Sequence, residues 1–153
     1  MKIPSQVVDA DVTFNIVCFD SSVPWSVDPL FAFWGYDLGV KVRNQDKTGI
    51  ALNFIELSGT VNVTYKGSPP PIVTIAFRTE SDWLGTTDLK SPSANTPWSF
   101  VIPAFTSDTK IDVNVIIKDN NGDDLQALWG FEERTIKDKN VSGIALDVGN
   151  ITD

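Results

Sequence analysis

The chain has 153 residues, with 20 acidic against 12 basic side chains, a formal net charge of −8, no histidine and a single cysteine. That charge is the opposite of what neutralising a phosphate backbone requires, which argues against nucleic acid and anionic membranes as partners. Without histidine the usual general base and the commonest metal ligand are missing, Cys18 alone forms no intrachain disulfide, and no run of about 18 apolar residues is present to insert into a bilayer.

Taken in chain order, Val12, Phe14, Ile16 and Cys18 recur at every second position, with Thr13 and Asn15 between the first three, the period-two pattern of a half-buried strand. Leu30-Phe31-Ala32-Phe33-Trp34-Gly35-Tyr36 surrounds a glycine with aromatics, a composition that favours strand over helix, and Gly49-Ile50-Ala51-Leu52 follows it. The alternation returns at Leu57, Gly59, Val61, Val63 and Tyr65, and again at Trp98, Phe100, Ile102 and Ala104. It is clearest at Ile111, Val113, Val115 and Ile117, with Asp112 and Asn114 on the opposite face. Segments 67–71, 90–97 and 119–123 supply the proline, glycine and asparagine that turns need. About ten strands are predicted in all, and only Asp123 to Arg134 has the propensity of a helix.

An internal repeat decides that case. Placing Ile3-Pro4 on Ile102-Pro103 brings Asn15 onto Asn114 and sets Val12, Phe14 and Ile16 on Ile111, Val113 and Val115. After a loop of different length, Leu30, Ala32, Trp34 and Gly35 fall on Leu125, Ala127, Trp129 and Gly130, and Gly49 to Leu52 falls on Gly143 to Leu146. The segment 125–131 is therefore expected to be a strand like its counterpart. Residues 1–53 read as the second half of a module and residues 54–153 as a complete one, as in a tandem array of ~95-residue units.

Leu57-Ser58-Gly59-Thr60-Val61, Pro97-Trp98-Ser99-Phe100-Val101-Ile102-Pro103 and Val141-Ser142-Gly143-Ile144-Ala145-Leu146 resemble β-sandwich modules repeated in tandem in uncharacterised bacterial surface proteins. The resemblance implies an extracellular or cell-surface scaffold or adhesive segment and carries over no catalytic residue. The expected fold is all-β, an antiparallel two-sheet sandwich of immunoglobulin-like or transthyretin-like type, with extra strands from the N-terminal half-repeat. Met1-Lys2-Ile3-Pro4 does not begin a signal peptide, so either the mature chain was excised from something longer, with a leader removed or outside this fragment, or it is cytosolic.

Chemistry is sparse. No Ser-x-x-Lys or Gly-x-Ser-x-Gly pattern is present, and Asp123, Asp124, Glu132 and Glu133, the only carboxylates worth testing as a glycosidase pair, read as solvated charges. No cofactor is expected. Calcium is the one metal to consider, through Asp119, Asn121 and Asp123, but the spacing does not fit an EF-hand and a plain hairpin on Asn121-Gly122 is preferred. Trp34, Trp98 and Trp129 are assigned to the core by their alternation. Trp25 and Trp83, the latter beside Asp82, lie in polar loops and read either as caps on the sandwich or as platforms for a sugar ring.

A half-module leaves Phe14, Ile16, Leu30, Trp34, Ile50 and Leu52 to be covered, either by joining the first module or by strand exchange with another chain. The expected function is thus a non-enzymatic extracellular structural or adhesive module that associates with itself or with neighbouring repeats. The alternative is a carbohydrate-binding module that uses its loop tryptophans on a glycan.

Overall fold

In the computed structural model, residues 9–18, 31–42, 52–66 and 71–152 are described. Period-two stretches become strands, as the pleat demands. They are β1 (Ala10–Cys18), β2 (Phe31–Val42), β3 (Phe54–Lys66), β4 (Ile72–Arg78), β5 (Trp83–Lys90), β6 (Thr96–Pro103), β7 (Thr109–Lys118), β8 (Asp124–Ile136) and β9 (Val141–Thr152). No helix occurs among the described residues. The chain divides into two units, residues 1–53 and 54–153.

The 54–153 unit has two mostly antiparallel sheets, ordered β6-β3-β9 and β5-β4-β7-β8, consistent with a β-sandwich. One face of each sheet is apolar. Leu57, Val61, Ile102, Ile144 and Leu146 from the first and Val73, Ile75, Phe77, Ile111, Val113, Val115 and Ile117 from the second are essentially inaccessible to water. Rings tie the two sheets together, with Phe77 on β4 stacked at 4.8 Å on Phe100 and tilted against Trp98 at 5.6 Å, both on β6. Trp98 is 5% exposed, as its assignment to the core requires.

One pairing departs from the antiparallel expectation. The last strand, β9, runs parallel to the first strand of the unit, β3, from Leu57↔Val141 to Lys66↔Thr152. Parallel neighbours need a long crossover, and here all the intervening strands supply it.

In the 1–53 unit, β1 and β2 form an antiparallel pair whose registry matches that of β7 and β8 over three pairs and is displaced by one residue beyond the break. Ile16↔Phe33, Val17↔Ala32 and Cys18↔Phe31 in one correspond to Val115↔Leu128, Ile116↔Ala127 and Ile117↔Gln126 in the other. Both ladders break at an asparagine, between Phe14 and Ile16 opposite two unpaired residues, Trp34 and Gly35, and between Val113 and Val115 opposite three, Trp129 to Phe131.

In the second hairpin the chemistry of that break is visible. Asn114 is fully buried, accepts the Gly130 N–H at 2.6 Å through Oδ1, and donates through Nδ2 to the Ala76 carbonyl at 3.3 Å. Gly130 has φ of +62°, which a side chain would strain. Asn114 thus holds a bulge in place of the missing ladder bonds. Asn114→Ala leaves buried backbone groups unpaired and is expected to lower stability by about 2 kcal/mol. Urea unfolding checks this, and an unchanged midpoint would mean that the bulge holds itself.

Candidate functional site

The four-stranded sheet has a second face, turned away from the rings. Because Phe77 points inward, Arg78 points outward, and the residue opposite it on β5 is Trp83. The ladder bulges here, with the buried Leu84 as the extra residue, and Trp83 shares the outer side with the Arg78 it pairs with, where it is 52% exposed. On the other flank Arg78 faces Asp112 of β7, and Asp112 faces Glu133 of β8. Trp83, Arg78, Asp112 and Glu133 thus form one row across four strands, three inter-strand spacings or about 14 Å wide.

Electrostatics order this row. The Arg78 Nε donates to Asp112 Oδ2 at 3.1 Å, and its guanidinium carbon lies 5.8 Å from the ring centre of Trp129. Lys110 pairs with Glu133 at 2.9 Å, and the hydrogen bond and charge of Glu133 hold the lysine pKa above its ordinary value. The pairs are exposed, so each adds little to stability and mainly sets side-chain orientation.

Trp129 corrects the assignment made from alternation. It is 55% exposed and lies on the outer face, together with exposed Leu125 and Ala127. The stripe has the predicted period but the opposite phase: Leu128, facing the buried Val115, takes the inward side. Trp129 and Arg78 are the site residues that the loop-based reading missed. A signal was available in the polar partners on β7, since a strand that shows Asp112 and Asn114 to one side marks that side as outer.

The other candidates fall elsewhere. Trp25 lies outside the described residues, as do the side chains of Trp34 and Cys18. Asp82 closes a tight turn, donating its N–H to Thr79 Oγ1 at 2.9 Å and accepting the Ser81 hydroxyl at 2.5 Å. It precedes Trp83 in the chain and fixes where β5 begins. Asp119 caps the β7–β8 hairpin, its Oδ1 accepting the N–H groups of Asn121 at 2.8 Å and Asp123 at 2.9 Å and its Oδ2 accepting the Asn121 amide at 3.1 Å. The backbone N–H of Asp123, followed by those around Asn121, keeps its carboxyl below the usual range. Asp119 therefore serves the turn in the way a hairpin reading implies. Among the described residues, no group of three or more Asp, Glu or Cys side chains is placed to share a metal ion.

The carboxylates at the ends of β8 do not form a pair. Glu132 and Glu133 point to opposite faces, bound to Arg134 and Lys110 respectively, and Asp124 is roughly 25 Å from them along the strand. Two-carboxylate glycoside hydrolysis needs its groups within about 10 Å of each other. Comparison with family models, with curated proteins and with solved structures found no match.

Proposed function

We propose that the chain is a non-enzymatic, extracellular structural or adhesive module from an array of similar units, which associates with itself or with neighbouring repeats by completing sheets across units. The observation that carries this reading is the pairing that β1–β2 and β7–β8 share over Ile16–Cys18 and Val115–Ile117, ending in both at a ladder break at Asn15 and Asn114. Two stretches of one chain that fold into the same hairpin are what a repeat produces. In the 54–153 unit the β7 edge of that hairpin is covered by β4, from Ile72↔Lys118 to Arg78↔Asp112. A two-stranded sheet is marginal in water by itself, so the β1–β2 hairpin gains most from the same kind of cover.

Strand order supports one module type over the other. An immunoglobulin constant domain places its first two strands side by side in one sheet. Here β3 and β4 belong to different sheets, which favours the transthyretin-like member of the resemblance. The edges suggest where assembly occurs. Glu132 and Arg134 on edge strand β8 face the same side as the buried Val113 and Ile111, and inward charges of this kind discourage further pairing. Exchange is therefore directed to other edges.

Sedimentation velocity over a roughly hundredfold concentration range tests the proposal. The expected result is a mass that grows with concentration in the absence of any small ligand. A mass fixed at that of one chain across the range would overturn assembly by strand exchange.

A further inference from the structure

We propose that the outer face around Trp83, Arg78 and Trp129 binds an uncharged, pyranose-based polysaccharide, an activity separate from assembly. Two indoles stand half-exposed on one sheet face, and between them lies a guanidinium that contacts one ring and is paired with a carboxylate. Indole faces accept the C–H side of a sugar ring, while the ion pair offers donors from Arg78 and acceptors from Asp112 to its hydroxyls. Both tryptophans start from rigid strand positions, so the platform exists before a ligand arrives and little ordering cost remains.

Charge selects the ligand class. Arg78 is the cation over the Trp129 ring, and Asp112 neutralises it; Asp82, Asp88 and Glu133 border the face, Lys90 and Lys118 lie at its far end six residues along β4 from Arg78, and the whole chain carries −8. An acidic glycan meets repulsion with no free cation in the row to offset it, because Lys110 is held by Glu133. A protein partner would have to dehydrate the Arg78–Asp112 pair, whose side chains are 45% and 30% exposed, whereas sugar hydroxyls replace its water in kind.

The test is affinity electrophoresis of the full chain in native gels containing xylan, galactomannan or hydroxyethylcellulose, with polygalacturonate as the acidic polymer. At least one neutral polymer is expected to retard the chain and polygalacturonate is not. Trp83→Ala and Trp129→Ala should each weaken that retardation at least tenfold without shifting the melting temperature by more than a few degrees, since both side chains are half in water. Trp129→Phe, which keeps an aromatic face, should retain most of the binding.

The proposal is overturned if no neutral polymer retards the chain, or if polygalacturonate alone does. It is equally overturned if both alanine variants bind as the parent does while melting earlier, which would make the tryptophans caps. Loss of concentration-dependent mass in Trp83→Ala and Trp129→Ala, with retardation unchanged, would reassign the face to protein contact.

Discussion

Replacing Phe77 with alanine is expected to lower the stability of the 54–153 unit by about 4 kcal/mol, a large share of the total for a domain of this size. Phe77 is completely buried and lies at the centre of the contact between sheets, stacked on Phe100 within 7° of parallel and packed against Trp98. Nothing polar compensates for its loss. The buried Trp98 indole N–H has no hydrogen-bond partner, so this ring is held in place by the apolar surfaces around it. Truncating Phe77 removes one of those surfaces and opens a cavity bounded by two rings that belong to the opposite sheet. Urea unfolding followed by far-UV circular dichroism and tryptophan emission gives the change in midpoint. A loss below about 1 kcal/mol would show that the sheets do not meet through these rings.

How much of this was legible beforehand depends on what alternation encodes. At β7, Asp112 and Asn114 separate Ile111, Val113 and Val115, so both period and phase can be read, and all three are buried together with Ile117. At β8 the apolar positions Leu125, Ala127 and Trp129 give the period alone. Phase is set by the partner strand through Val115↔Leu128, a long-range fact that a local pattern does not contain. The repeat supplied the strand identity of residues 125–131 against their helical propensity, because Trp-Gly occurs in both copies, but it carried no information on phase. The site was half visible: Trp83 stood out beside Asp82 in a polar stretch read as a loop, although it is the first residue of β5, whereas Arg78 had no distinguishing neighbour in sequence. Its role arises from Asp112 and Trp129, 34 and 51 residues away, arriving on the same face.

The parallel β3–β9 pairing was also invisible in the pattern, and it creates the second large effect. Gly59 lies between Trp98 of β6 and Ile144 of β9. A Cβ at this position would stand 1.8 Å from the Ile144 carbonyl oxygen and 2.6 Å from its carbonyl carbon, and both atoms are backbone. No rotamer change relieves such an overlap, so Gly59→Ala is expected to push β9 away from β3 at a cost of roughly 3 kcal/mol. The displaced strand carries Ile144 and Leu146, each 1% exposed in the parent, into water. Amide exchange should therefore rise selectively from Ile144 to Ile151 while β4 and β7 stay protected. The same variant bears on assembly, because lifting β9 bares the long edge of β3 and offers it to a strand of another chain. Under the strand-exchange reading, Gly59→Ala associates at lower concentration than the parent. If its β9 amides open and its mass nevertheless follows the same concentration dependence as the parent's, the β3 edge is not a site of exchange, and sheet completion occurs at the β1–β2 hairpin instead.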